Sequence, residues 1–241
     1  MNDLALALLE LPARFGKVDE TLDEIDALVA RAPCELVVLP EASITGYVST
    51  RGNFDLRPLA EPRGGATERA LSAIARRHRV HLAAPLIERD GDAFYNSFFV
   101  FDPEGMVIAS YQKRHPWYPE TWATAGAKPP PVFTVAEWNV TLAICFDVHT
   151  LAEDAASELE RADLLLFPSA WVEDEGDDLR ESLLPPIAAR FAVAIANANW
   201  APGDVVLPGQ GTSRIYDASG ALIAKATERR LDVTLRRAAS R

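Results

Sequence analysis

The sequence predicts a layered α/β fold in which two mixed β-sheets are covered by helices. Segments with strand patterns alternate with segments whose apolar residues recur at helical spacing, and hairpins interrupt this alternation. The chain has 241 residues, of which 49% are hydrophobic, so it can build a sizeable core. It contains no internal repeat, low-complexity tract or linker. We therefore predict a single domain over residues 1–241.

The first half of the chain alternates strands with helices and closes with a hairpin. The predicted elements are a strand over 4–11, a helix over 19–32, a strand over 35–40, a helix over 67–79, a strand over 80–87 and a hairpin over 93–101 and 106–113. The first helix places Leu22, Ile25, Leu28 and Val29 at helical spacing, with acidic residues early. The hairpin turns at Asp-Pro-Glu-Gly, a favourable turn sequence.

The second half begins and ends with hairpins. The predicted elements are a hairpin over 132–135 and 141–145 that turns at 137–139, a helix over 151–161, a strand over 163–167, a helix over 178–191, a strand over 193–197 and a hairpin over 214–225. Pro185 and Pro186 interrupt the second helix, and an internal proline costs about 3 kcal/mol or more. Two interpretations stay open, a kinked helix or one that starts at Pro185. Residues 170–178 (AWVEDEGDD) are predicted to form an acidic surface loop, a candidate lid.

Charge and cysteine content exclude several classes of function. The formal net charge of -11 argues against a nucleic-acid partner. Two cysteines do not make a disulfide framework. The start, MNDLALALLELPARFG, lacks a basic region and its apolar part is broken by acids, so we predict neither a signal peptide nor a membrane span. A cytoplasmic protein with reduced thiols and no membrane partner is the expectation.

Three reactive side chains directly follow apolar strand segments. They are Glu41 in VVLPEASITGY, Lys113 in IASYQKRHPW and Cys145 in LAICFDVHT. Sites in layered α/β folds form at strand ends, because the sheet holds these positions rigidly. Taken singly, each has a structural interpretation: a cap or surface carboxylate, a solvated edge charge and a small buried hydrophobe.

Together the three side chains form a sufficient set for acyl transfer from an amide. A thiol needs a base in order to attack as the thiolate, and a carboxylate can serve as that base and later activate water. The attack creates an oxyanion, which a lysine ammonium and a backbone N–H can stabilise. This chemistry needs neither histidine nor metal.

Several segments, in order, resemble the nitrilase or carbon–nitrogen hydrolase superfamily. LVVLPEASITGY resembles the segment of the catalytic glutamate, here Glu41, and SYQKRHPW that of the catalytic lysine, here Lys113. LAICFDVHT resembles the segment of the nucleophile, here Cys145. ADLLLFPSAW and GTSRIYDASGALIAKA resemble the following strand and the late hairpin of the family. The resemblance therefore covers nearly the whole chain.

The resemblance implies further site residues and an architecture. Glu120, in YPETWATAG, corresponds to a second glutamate that orients the lysine or the substrate, and the backbone N–H of Phe146 helps to hold the oxyanion. The family fold is a four-layer αββα sandwich, paired into a homodimer or a larger homo-oligomer. The family uses no metal and no organic cofactor.

The implied activity is hydrolysis of a small linear amide or carbamoyl compound. A thioester forms at Cys145, and ammonia or an amine leaves. An arginine that binds substrate carboxylates in relatives is missing from the segment HTLAE, which disfavours dicarboxylate monoamides. Phe146 and Asp147 stand where nitrilases usually have tryptophan and glutamate, which favours amides. The alternatives are a nitrilase for small nitriles and an inert binding scaffold with this fold.

Aromatic residues near the predicted site are candidates for its wall. Tyr47, Trp117, Trp171 and His149 are predicted to bind substrate, since aromatic walls suit small ligands and exclude water. Asp147 is expected to bond nearby backbone rather than act as a base. A further alternative is a Cys–His hydrolase that pairs Cys145 with His149 or His115.

Overall fold

The computed structural model describes residues 3–173 and 178–237. The strands are β1 Leu4–Leu9, β2 Leu36–Val38, β3 His81–Asp90, β4 Ala93–Phe101, β5 Val107–Gln112, β6 Phe133–Val135, β7 Trp138–Leu142, β8 Leu164–Ser169, β9 Ala194–Asn199, β10 Arg214–Tyr216, β11 Leu222–Lys225 and β12 Arg230–Leu235. The α-helices are α1 Val18–Val29, α2 Ala66–His78, α3 Leu151–Asp154, α4 Ala156–Arg161 and α5 Leu179–Phe191. Short 3₁₀ helices span Arg57–Leu59 and Cys145–His149.

The strands form two six-stranded sheets with matching organisation. One sheet has the order β12-β1-β2-β3-β4-β5 and the other β11-β10-β9-β8-β7-β6. In each sheet three parallel strands lie in the middle, β1-β2-β3 in the first and β7-β8-β9 in the second, and antiparallel strands flank them. The C-terminal ends of parallel strands share one edge of a sheet, where sites form.

Alternating side chains of the strands divide the hydrophobic core into three clusters. In β1, Leu4, Leu6 and Leu8 pack into the cluster between the two sheets, whereas Ala7 and Leu9 pack against the helices. The second cluster joins the first sheet to α1 and α2, and a third joins the other sheet to α3, α4 and α5. The layers therefore run helix, sheet, sheet, helix, and the predicted αββα sandwich is confirmed.

The hairpin before the cysteine differs from the prediction. Trp138 and Asn139, which were predicted to lie in the turn, are strand residues of β7, and Val135 pairs directly with Trp138. The turn consists of Ala136 and Glu137, both with positive φ, at 44° and 69°. Two residues with positive φ form the hairpin turn whose twist matches the flanking strands. At its other end, β7 stops at Leu142, three residues earlier than predicted.

The helices also depart from the prediction in two places. The helix predicted over 151–161 is broken at Ala155 into α3 and α4. α5 begins directly after Asp178, whose carboxylate accepts the N–H of Arg180 at 3.1 Å, so a start at Pro185 is wrong. Both prolines lie inside α5.

The C-terminal strand β12 was not predicted. It pairs antiparallel with β1 over six residues, from Leu4 opposite Leu235 to Leu9 opposite Arg230. Charged residues interrupt its apolar positions, and its inner residues are exposed or half-buried. The apolar pattern that predicts a strand is therefore weak here. The pairing makes both ends of the chain part of the same sheet. We retain as a proposal that residues 1–241 form one domain, which the core shared between the sheets supports.

The acidic segment 170–178 is described only in part. Residues 174–177, the centre of the candidate lid, lie outside the described residues. On the near side of this gap, Glu173 donates its backbone N–H to the carbonyl of Pro208 at 3.0 Å. In the part of the chain that the structure describes, no helix is long and apolar enough to cross a bilayer.

Candidate active site

The ends of strands from both sheets converge at one place. Glu41 lies three residues after β2, and Lys113 follows β5 directly. From the other sheet, Cys145 begins the 3₁₀ helix after β7, and Ala170 follows β8. Glu41 and Lys113 are each only 1% exposed, so their charges lie inside the protein between the sheets.

Lys113 joins the two predicted glutamates. Its Nζ donates to Glu41 Oε1 at 2.7 Å and to Glu120 Oε2 at 2.5 Å. Glu120 also accepts the backbone N–H of Trp117 at 2.6 Å, which fixes the loop that carries it. An ammonium has three N–H donors, and the described residues account for two of those of Lys113. One donor is therefore left for a further acceptor.

Asn96, in β4, was missed by sequence reasoning. Its Nδ2 donates to Glu41 Oε1 at 2.8 Å and to Glu120 Oε1 at 2.6 Å. Asn96 and Lys113 thus each bridge the two carboxylates. The only signal in the sequence is the polar pair Asn96-Ser97 within the apolar strand AFYNSFFVF.

The buried charges shift the pKa values at the site. Burial alone would lower the pKa of Lys113, but the charges of Glu41 and Glu120 outweigh it and raise this pKa above its usual range. The pKa of Glu120 is raised, because burial outweighs the attraction of Lys113. Lys113 therefore stays an ammonium throughout the neutral range, fixed as a positive centre.

A strained turn presents Cys145. Its φ is +44°, a left-handed conformation that a residue with a Cβ adopts at a cost. Asp147, 2% exposed, accepts the backbone N–H groups of Ile144, Arg114 and His115 at 3.1, 3.2 and 2.9 Å. Its carboxylate also accepts the hydroxyl of Tyr111, at 2.9 Å. The expected bonding of Asp147 to backbone is confirmed, and it ties the cysteine turn to the lysine segment.

The surroundings of Cys145 keep its sulfur protonated. Burial raises the pKa of the thiol well above its usual value, and the charge of Glu41 adds to this, while Lys113 opposes it. The backbone N–H of Ala170 donates to Glu41 Oε2 at 2.9 Å and also lowers the pKa of the Cys145 thiol. A thiol whose pKa is raised in this way needs a base to become a nucleophile.

Phe146 follows the cysteine in the first turn of the 3₁₀ helix Cys145–His149. The first N–H groups of a helix have no acceptor within the helix. The Phe146 N–H therefore needs an acceptor outside the helix. The Phe146 side chain is 36% exposed and its ring lies 4.6 Å from that of His149.

The predicted aromatic residues lie on two sides of the charged centre. Tyr47 is buried, contacts Glu120 and stacks on Trp117 with ring centroids 6.4 Å apart. Burial, together with the charges of Glu120 and Glu41, raises the pKa of Tyr47, so its hydroxyl stays protonated. On the other side, Trp171 is buried, packs in the same cluster as Cys145 and stacks on the exposed His149 at 6.4 Å.

The two histidines near the cysteine have other contacts. His115 Nε2 lies 2.8 Å from Asp154 Oδ2, and both side chains are about one-third exposed. His149 contacts the rings of Phe146 and Trp171, and burial lowers its pKa. The buried acid–base partners of the site are instead Glu41 and Lys113, which disfavours the Cys–His alternative.

A comparison with known protein families agrees with the geometry of the site. The model of the family described as "Carbon-nitrogen hydrolase" matches residues 5–238. The chain belongs to the carbon–nitrogen hydrolase family. An (R)-stereoselective amidase of a Pseudomonas species is 26% identical over 230 residues, which cover 92% of this chain and 81% of that amidase. A nitrilase of Pyrococcus abyssi is 31% identical over 175 residues, 68% of this chain and 62% of that protein.

Solved structures of this family share the fold. The crystal structure of an amidase from Nesterenkonia sp. superposes with a TM-score of 0.83 at 28% identity, and the match covers 96% of this carbon–nitrogen hydrolase and 90% of that amidase. A variant of that amidase, at TM-score 0.79 and 25% identity over 97% and 92% of the two chains, shows the Michael addition of acrylamide at its active-site cysteine. The predicted superfamily, fold and class of enzyme, an amide-cleaving carbon–nitrogen hydrolase with a nucleophilic cysteine, are confirmed.

Proposed function

We propose that this carbon–nitrogen hydrolase cleaves a small, uncharged linear amide through a thioester at Cys145, with Glu41 as the base and Lys113 as the electrostatic catalyst. The observation that carries the proposal is the Glu41 carboxylate, which accepts Lys113 Nζ at Oε1 and the Ala170 N–H at Oε2, and whose charge raises the pKa of the Cys145 thiol. A thiol, a carboxylate and an ammonium that act on one another support these roles of nucleophile, base and cation.

In the acylation step, Glu41 accepts the proton of the Cys145 thiol and the sulfur attacks the amide carbon. The C–S bond forms as the carbonyl π-bond opens, and the resulting oxyanion accepts bonds from Lys113 and from the Phe146 N–H. Glu41 then donates its proton to the leaving nitrogen, the C–N bond breaks, and ammonia or an amine departs. The acyl group stays on Cys145 as a thioester.

The second step regenerates the enzyme. Glu41, again a carboxylate, accepts a proton from water as the water attacks the thioester carbon. The tetrahedral oxyanion returns to the same donors, the C–S bond breaks, and the sulfur takes the proton back from Glu41. The products are a carboxylic acid and the free thiol, so one water is consumed per amide. Glu120 acts by holding Lys113, to which it bonds at 2.5 Å.

The charge of the site favours an uncharged acyl group. Lys113 is held by two carboxylates, and His149 has a lowered pKa and is neutral near pH 7. Neither side chain supplies a free cation for a substrate carboxylate. Tyr47, Trp117, Trp171 and His149 provide aromatic surface instead, and we propose that they contact the acyl group. Amidases among the relatives support an amide as the substrate.

We also propose that the protein forms a homodimer or a larger homo-oligomer and works in the cytoplasm. Family membership supports the first statement. The second is supported by two free cysteines, Cys34 and Cys145, since a reactive thiol persists in a reducing compartment. Sedimentation velocity at several concentrations tests the assembly, and a monomer at every concentration would contradict it.

The function is tested by ammonia release from a panel of neutral aliphatic amides, carbamoyl amines, dicarboxylate monoamides and nitriles. The parent, Cys145→Ala and, as a matched control, Cys34→Ala are compared. We expect release from neutral amides in the parent and in Cys34→Ala, and none in Cys145→Ala. Undiminished release in Cys145→Ala would contradict the mechanism, release from nitriles alone would favour a nitrilase, and no release at all would favour an inert scaffold.

A further inference from the structure

We propose that Asn96 is a positioning residue that keeps Glu41 ionised and aimed at Cys145. This inference rests on the proposed function, in which Glu41 is the base. Asn96 is 1% exposed, and a single nitrogen, Nδ2, gives its two hydrogens to different carboxylates, Glu41 Oε1 at 2.8 Å and Glu120 Oε1 at 2.6 Å. Both donors of the amide are therefore used at the site.

Charge balance explains why neutral donors are needed there. Glu41 and Glu120 together carry two negative charges when ionised, and Lys113, bonded to both, supplies one positive charge. The cluster therefore keeps one uncompensated charge in a buried place, which favours protonation of a carboxylate. Two N–H bonds from Asn96 stabilise the ionised carboxylates without adding a second cation, and an ionised Glu41 is the form that can accept the thiol proton.

The bonds also fix the direction of Glu41. Lys113 and Asn96 both donate to Oε1, and the Ala170 N–H donates to Oε2. The carboxylate is thus held from three directions, and its charge acts on the Cys145 thiol, whose pKa it raises. Asn96 sits within strand β4, and its carbonyl accepts the Lys113 backbone N–H at 2.8 Å, so its place relative to the lysine is set by the sheet.

Stability alone does not account for this amide. Its Oδ1 is buried and has no hydrogen-bond partner among residues 3–173 and 178–237. A buried acceptor without a partner opposes folding, so the amide is retained for the two bonds that Nδ2 donates to the carboxylates. The Nδ2 group cannot exchange places with Oδ1, because an oxygen would then face two carboxylates.

The test compares Asn96→Asp and Asn96→Leu with the parent and with Ser97→Ala. Ser97 is the neighbouring buried residue, and its hydroxyl bonds Glu88 rather than the site. Two rates are followed against pH: kcat/KM for a hydrolysed amide, and alkylation of Cys145 by iodoacetamide without substrate. In both Asn96 variants the acidic limb of each pH profile is expected to shift to higher pH by about one unit. At a given pH on that limb, each rate is then roughly tenfold lower than in the parent. Ser97→Ala keeps the parent's limb.

Two outcomes would overturn the proposal. The first is an acidic limb in the Asn96 variants at the same pH as in the parent. The second is a rate that falls by the same factor at every pH, which is the behaviour of a merely structural residue. Asn96→Asp is isosteric and keeps the test valid if Asn96→Leu does not fold. If the parent hydrolyses no amide, the proposed function fails, whereas the alkylation profiles still decide the role of Asn96.

Discussion

At the scale of the residue, the proposed mechanism keeps the nucleophile neutral until a base removes its proton. The half-buried thiol of Cys145 is costly to ionise because desolvation and the charge of Glu41 oppose it, and Lys113 offsets this only in part. The structure thereby differs from sites in which a cysteine rests as a thiolate paired with a cation. Glu41 acts on this thiol through its charge and is fixed by the Ala170 N–H at 2.9 Å, which supports the proposal that it is the base.

The raised pKa of Cys145 gives a direct prediction. A thiol with a raised pKa forms its thiolate at higher pH than an ordinary cysteine, so the parent is expected to show no Cys145 thiolate absorbance below about pH 8.5. Glu41→Gln removes a negative charge next to the sulfur, and the thiolate should then appear at lower pH. The ultraviolet difference titration uses Cys145→Ala as the blank. A thiolate already present in the parent at pH 7 would contradict Glu41-dependent activation.

The main side chains of the site were predictable and the contacts between them were not. Glu41, Lys113 and Cys145 follow apolar strands, and the family segments added Glu120. Asn96 reaches the site through pairing of β4 with β5, and Ala170 contributes only a backbone N–H. Apart from the polar pair Asn96-Ser97 in an apolar strand, the sequence carries no sign of these contacts, because cross-strand register and backbone direction are set by the fold.

At the scale of the element, the loop after Glu41 depends on Gly46. Its φ is +73°, and a Cβ there would lie 2.5 Å from the Arg14 carbonyl oxygen and 2.7 Å from Phe15 Cα. Gly52 has nearly the same φ, +74°, but a Cβ there would meet nothing within 4 Å. The two glycines separate the cost of backbone strain from the cost of close packing.

We therefore predict unequal effects of alanine at these two glycines. Gly52→Ala should lower the free energy of unfolding by about 1 kcal/mol, the cost of a left-handed residue. Gly46→Ala should lower it by about 2–4 kcal/mol, because the clash with the β1–α1 connection adds to the strain. Guanidinium denaturation measures both. Equal losses would show that the contact of Gly46 with Arg14 and Phe15 does not restrict the loop.

Most elements were predictable from their periodicity, and the errors have physical causes. The turn before β7 was misplaced because Asn139 is polar, whereas the buried Trp138 must join the strand to reach the core. The two prolines suggested that α5 starts late. The helix tolerates the backbone hydrogen bonds that its prolines cannot donate, because Asp178 caps its start and Leu184, Ile187 and Ala188 are buried. Tertiary burial outweighed local propensity in both cases.

At the scale of the whole molecule, the two sheets share one core. The cluster between them combines side chains of β1, β2, β4 and β5 with side chains of β7, β8 and β9. The site lies at the same junction, since Glu41 and Lys113 come from one sheet and Cys145 and Ala170 from the other. Sheet order could not be predicted, because the pairing of β1 with β12 joins residues more than 220 positions apart in the chain.

A shared core predicts cooperative unfolding. Neither sheet can lose its partner without exposing the cluster between them, so we expect a single transition in guanidinium, with coincident midpoints for tryptophan fluorescence and far-ultraviolet circular dichroism. Trp138 reports on the core between the sheets and Trp171 on the site. Two separate transitions would contradict the proposal of one domain.

The central claim is that Cys145 carries the acyl group, and trapping that intermediate tests it most directly. The parent is mixed with a hydrolysed amide, quenched in acid, and its intact mass is measured, with Cys145→Ala and Cys34→Ala treated alike. We expect a mass increase equal to the acyl group in the parent and in Cys34→Ala, removed by hydroxylamine and mapped to the peptide of Cys145. Amide turnover by Cys145→Ala, or an acyl group mapped to another residue, would contradict the mechanism.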